Sequence, residues 1–147
     1  MKDVLIQLFE RDLKKLISEL EAYKDEENIW KVSENISNST GTLVLHLVGN
    51  LKHFIGAVMG NTGYIRNRDA EFSLRNIPRA HLIEQVLETI KVINETMSGF
   101  EENKFSSNYP LEVFGKPMTY EFFMMHLQGH LNYHLGQVNY HRRLLDN

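Results

Sequence analysis

The chain of 147 residues contains no cysteine. Disulfide frameworks, thiolate zinc sites and cysteine nucleophiles are therefore excluded, and any metal must be held by nitrogen or oxygen ligands. Proline and glycine are scarce, at three and nine residues, which argues against a fibrous or low-complexity chain. Charge of one sign is also lacking. Sixteen basic and 19 acidic residues are interspersed, with a formal net charge of −3, so there is no broad cationic face for nucleic acid or an anionic membrane. Met1-Lys2-Asp3 leads straight into a charged amphipathic pattern without the apolar core of a secretory signal, and nothing reads as a membrane span. A cytoplasmic protein is expected, with neither nucleic acid nor membrane as partner. With 42% apolar and 24% charged residues, the length suits one domain over 1–147.

What is present is helical periodicity. Val4, Leu5, Leu8, Leu13, Leu16, Ile17 and Leu20 recur at steps of three and four, with Arg11, Asp12, Lys14, Lys15, Glu19 and Glu21 on the other face, predicting a first helix from Asp3 to Tyr23. Ser33 to Thr40 reads as a turn feeding an N-terminal cap. A second helix, Thr42 to Met59, is nearly all apolar and is expected to be buried in a bundle or against a second subunit. Gly60 to Gly63 ends it, and a polar connection through Tyr64 to Phe72 is long enough for a crossover or a functional loop. Pro78 opens a third helix that runs to about Phe100. Asn103 to Pro117 is turn-like, with a short extended pair expected around Tyr109 to Phe114, and a fourth helix follows from Thr119 to Leu145. The predicted fold is all-α: a four-helix bundle with a long crossover between helices two and three.

The fourth helix carries His126, His130, His134 and His141 on one stripe, since four-residue steps advance a helix by one turn plus about 40°. Histidine is the commonest metal ligand, and adjacent turns bring His130 and His134 close enough to share an ion. A catalytic site needs a third ligand from another element. His46 is the best candidate, because an imidazole in the middle of an apolar helix carries a desolvation cost unless it is matched.

Two segments, Gly41-Thr-Leu-Val-Leu-His46-Leu and His130-Leu-Asn-Tyr-His134-Leu-Gly-Gln137, resemble the DinB-like (DinB/YfiT-like) metalloenzymes, and the resemblance spans most of the chain. It implies a four-helix bundle, commonly a homodimer, with a divalent ion held by His46, His130 and His134. It also implies a small-molecule substrate and chemistry such as thiol-dependent S-transfer with a low-molecular-weight thiol, or hydrolysis. Three imidazoles leave coordination positions open, where an ion lowers the pKa of a bound water or thiol. Zinc comes first, with nickel or another first-row ion as alternatives, because neutral nitrogen ligands do not separate these metals.

The remaining residues have blander readings. His126 is an outer hydrogen-bonding group, an alternative ligand or a partly exposed structural ring. His53 is a packing or substrate-contact residue, and His81 and His141 are structural or solvent-facing. Gln137 and Gly136 read as packing, with a hydrogen bond from Gln137 to a ligand as the alternative. The Arg66 to Glu71 segment reads as a solvated loop with internal ion pairs before it reads as an anion site. Phe122, Phe123, Met124 and Met125 read as core or dimer packing. No general base stands out; Glu71, Glu84 and Glu121 are candidates by position alone. The competing functions are a non-catalytic dimeric bundle that binds a small molecule or protein partner with a vestigial metal site, and a pH-responsive dimer.

Overall fold

Five α-helices form the frame of the computed structural model, which describes residues 1–147: α1 (Lys2–Ala22), α2 (Thr40–Leu51), α3 (Arg68–Ser73), α4 (Arg79–Gly99) and α5 (Tyr120–Leu145). The backbone of α2 continues without a break as a π-helix over Lys52–Met59. The four long helices fall where the apolar periodicity predicts them. Two of the four starts are capped by a side chain: Ser39, in the turn read as feeding a cap, accepts the N–H of Thr42 at 3.1 Å, and Thr119 accepts that of Phe122 at 3.2 Å.

Helix α1 packs on α4 and α5, and α2 packs on the same two, so α1 and α2 sit across the bundle diagonal. Lys52 bonds to Glu88, while Gly56 and Gly60 lie against Val92 and Thr96, so α2 and α4 are parallel neighbours and the segment between them returns along the bundle as the expected crossover. One continuous core of 28 buried apolar side chains joins all four long helices. Every residue of α2 is buried, which accounts for its composition. Thr40–Met59 is the one helical stretch long and apolar enough to cross a membrane, with a mean hydropathy of 1.3, and 67% of it is buried within the bundle.

Three expectations are corrected. The crossover is not wholly irregular. It contains α3, started by Asn67, whose side chain accepts the N–H of Ala70 at 3.1 Å. The extended pair near Tyr109 to Phe114 does not form. Only a single bridge, Asn108 to Thr119, lies there, and Tyr109 instead turns inward to donate to the Phe54 carbonyl at 2.8 Å. Asp12 and Glu19, placed on the solvent face by periodicity, are buried against α5. Asp12 accepts from Gln128 at 2.5 Å and Asn132 at 2.8 Å, and also from its neighbour Arg11. Glu19 accepts from Asn139 and Arg142, each at 2.7 Å. Seven residues apart on one stripe, the two carboxylates form polar rungs that meet four donors on α5.

Burial opposes ionisation of Asp12, but the hydrogen bonds from Arg11, Asn132 and Gln128, with the Arg11 charge, outweigh it and hold the carboxyl below its usual range. A depressed native pKa adds stability above the unfolded value, about pH 4, that disappears as pH falls through the native value. Asp12→Asn, which turns an amide donor toward two others, is expected to lose about 2 kcal/mol at pH 7 in urea unfolding followed by circular dichroism. The gap should narrow progressively below about pH 4; a gap of the same size at pH 7 and pH 3 would rule out an ionised Asp12 as its source.

Candidate metal centre

His46 sits where a polar ring is expensive, so its nitrogens have to be matched. Its Nδ1 lies 3.2 Å from Oε1 of Glu71 on α3. An ionised carboxylate can only accept, so the proton of His46 is on Nδ1 and a lone pair points inward from Nε2. Glu71 receives Arg66 in turn, Nε to Oε2 at 2.8 Å and Nη2 to Oε1 at 3.0 Å. Burial pushes the Glu71 carboxyl toward protonation, but the hydrogen bonds from His46 and Arg66, with the Arg66 charge, hold it below the ordinary range. Gly49 makes this approach feasible. A Cβ at that position would collide with the Glu71 carboxylate.

From α5, His130 and His134 rise on adjacent turns. His130 Nε2 is 3.2 Å from His46 Nε2 and 3.1 Å from His134 Nε2, and ligand atoms of all three rings lie within 4.8 Å of one another. His134 Nδ1 is 2.7 Å from Oε1 of Gln137, so it donates there and leaves its own Nε2 lone pair facing inward. His130 Nε2 thus meets two lone pairs and can donate to only one, while its Nδ1 is buried without a partner. A cation between the three nitrogens removes that conflict. Tetrahedral nitrogen ligands at zinc are about 3.3 Å apart, close to the two short separations here.

His130 and His134 are also held in the form a metal needs. Burial, followed by the neighbouring His134 and His46, lowers the pKa of His130 to about 4. Burial likewise lowers that of His134 against the opposing hydrogen bond with Gln137. Neutral imidazole is the coordinating form. Three nitrogens suit a borderline first-row ion and are a poor set for calcium, which takes oxygen.

The other predicted residues separate cleanly. His126 is exposed, wedged beside Phe114 at 4.8 Å between ring centroids and 6.4 Å from the ring of His130. His53 is half-buried against Phe54 and falls outside the cluster, and His81 is exposed beside Glu84. His141 is structural and fully enclosed: Nδ1 is 2.6 Å from the Tyr23 hydroxyl and Nε2 is 2.8 Å from the Lys31 carbonyl. Gln137 holds a histidine instead of packing. Arg66 and Glu71 do form an internal ion pair, but a buried one aimed at His46. Glu71 is thereby committed to two partners and is not free as a general base. Its role as the outer support of His46 has no signal in the sequence beyond a carboxylate in a long crossover.

This is a helical bundle in which three histidines, one backed by a carboxylate, converge at the interior edge and could hold a metal ion. The chain belongs to the family described as Protein of unknown function (DUF1572), which matches residues 3–147. No curated protein matches it.

Outer partners of metal-binding histidines typically govern affinity by about 10- to 100-fold. Gly49→Ala and Glu71→Ala should each weaken divalent-ion binding within that range in competition with a chromophoric chelator, with helicity unchanged. Unaltered affinity in both would reduce Glu71 to a packing residue.

Proposed function

We propose that this protein is a divalent-metal-dependent enzyme of the DinB-like kind, with His46, His130 and His134 as the ligands and a thiol-dependent S-transfer or a hydrolysis as the reaction. The carrying observation is the convergence of three imidazole Nε2 atoms, two of them with outer hydrogen-bond partners on Nδ1, in a setting whose burial disfavours the charged forms of His130 and His134. The resemblance of the two histidine segments to DinB-like metalloenzymes supports the same reading.

His46, His130 and His134 would hold a zinc or nickel ion, which when bound would supply Lewis acidity and bring the pKa of a water or thiol toward neutrality. The chain supplies orientation and a partly apolar mouth. Phe72 packs on His46 at 5.1 Å and Tyr133 on His134 at 5.3 Å, offering ring faces to an apolar or aromatic part of a small substrate. His126, exposed one turn before His130, is positioned to hydrogen-bond a polar group of that substrate. A cytoplasmic setting, in which low-molecular-weight thiols stay reduced, accords with the reaction.

Protein purified without nickel resin, loaded with zinc and desalted, should retain about one equivalent per chain. His46→Ala, His130→Ala and His134→Ala should each fall below about a tenth of an equivalent. The loaded protein should accelerate conjugation of a small thiol to an electrophile or cleavage of an activated ester, and a chelator or His130→Ala should abolish the effect. Wild-type protein that holds less than about a tenth of an equivalent of any transition metal after reconstitution sinks the proposal. One full equivalent without turnover of either substrate class would assign the chain to the non-catalytic alternative.

A further inference from the structure

The seam between α2 and α5 that holds the three histidines continues past them. Leu43 lies three residues before His46 and Gln137 three residues after His134, a rise of about 4.5 Å along each helix. There the seam opens into a groove of about 270 Å³, bounded by Leu43, by Gln137, Tyr140 and Leu144 on α5, and by the segment from Asn35 to Asn38. Small-molecule sites run from about 300 to 1,000 Å³, so this volume suits one arm of a ligand. The groove shares a wall with the histidine cluster, because Gln137 Oε1 is 2.7 Å from His134 Nδ1. A molecule that touches Gln137 is one imidazole ring away from the nitrogens that converge with His134 Nε2.

The lining is chemically selective. No Asp, Glu, Lys or Arg borders the groove, although these make up 24% of the chain. His141 adds no charge: burial lowers its pKa, and its nitrogens are taken by the Tyr23 hydroxyl and the Lys31 carbonyl. An ionic group placed here would lose water and find no counter-ion. Polar groups are nevertheless plentiful and unspent. The side chains of Asn35, Ser37 and Asn38 make no hydrogen bond within the chain, and neither do the backbone N–H and C=O of Ser37 and Asn38. Gln137 accepts from His134 through its oxygen, which leaves its NH2 group as a donor without a partner. Beside these groups, Ile36, Leu43 and Leu144 supply aliphatic surface. Free amide donors and acceptors next to aliphatic walls, with no charge among them, match an uncharged chain that itself carries an amide.

We propose that this groove binds an uncharged, amide-bearing arm of a small molecule whose reacting end reaches the histidine cluster. The amide of the arm exchanges hydrogen bonds with Gln137 and the Asn35 to Asn38 segment, and its aliphatic part rests on Leu43. The connection to the cluster rests on the metal-dependent reading of the protein, whereas the preference of the groove for a neutral amide does not.

Side-chain NH2 groups are observed directly in nitrogen–proton correlation spectra. N-acetylleucine N-methylamide, titrated to millimolar concentration, should shift the NH2 signals of Asn35, Asn38 and Gln137 saturably, with or without zinc. N-acetylleucine, with its free carboxylate, should bind several-fold more weakly. Ser37→Trp or Asn38→Trp, at exposed positions outside the helices, should fill the groove and remove the response while helicity and zinc content stay unchanged. In zinc-loaded protein, hydroxamates that carry an acetamide on a lengthening methylene chain should reach about tenfold tighter binding than acetohydroxamate, and Ser37→Trp should erase only that gain. Unshifted amides, or equal affinity for the carboxylate, would overturn the proposal, as would an acetamide arm that adds nothing to a bound hydroxamate. Protein that takes up no zinc yet binds the neutral amide would sink the metal reading and leave the groove standing.

Discussion

Three imidazoles converging inside an apolar bundle are tolerable only when their nitrogens are matched and charge is not crowded among the rings, and the surroundings of the cluster follow from that constraint. A proton on His130 would add charge in a desolvated site already shared with two other rings, so burial expels it. His46 loses its cost through Glu71, and Glu71 persists as an ion so near the core only because Arg66 pairs with it through two hydrogen bonds. The crossover is thus part of the centre: α3 exists to carry one carboxylate and one phenyl ring against one histidine. What remains unmatched, the Nδ1 of His130 and the confronted lone pairs, is the part of the arrangement that a cation would complete.

Two of the three candidate ligands ride on α5, and the rotation of α5 is set by α1. The core supplies most of the cohesion, but apolar contact is non-directional and tolerates a slipped or rotated helix. The rungs at Asp12 and Glu19 do not. Each carboxylate meets two α5 donors, and a shift of one residue along α5 would turn those donors away by about 100° and carry His130 and His134 with them. Buried polar contacts of this kind add little net stability compared with apolar packing, and their value lies in specifying one register.

Much of the frame was legible in the residue pattern. Predicted helices at Asp3 to Tyr23, Thr42 to Met59, Pro78 to Phe100 and Thr119 to Leu145 lie within two residues of the observed boundaries, because an amphipathic helix repeats its buried face locally and its caps are adjacent residues. His130 and His134 were legible for the same reason, since one helix sets their spacing. His46 stood out as the polar exception in an apolar run. The widening of Lys52–Met59 into a π-helix had no such mark, because a turn of five residues and one of four can carry the same apolar composition.

The sequence by itself determined which stretches are helical, which faces are apolar, and that His130 and His134 share one face of a helix, because each of these is a property of neighbours within a turn or two. Only the tertiary structure decided that Asp12 and Glu19 are interior, that Glu71 supports His46 from 25 residues away, that Gln137 orients His134 instead of packing, and that His141 is sealed into the frame. A carboxylate or an imidazole looks the same in a sequence whether water or a buried donor surrounds it. Its role is set by the electrostatics of partners that the chain brings near only on folding.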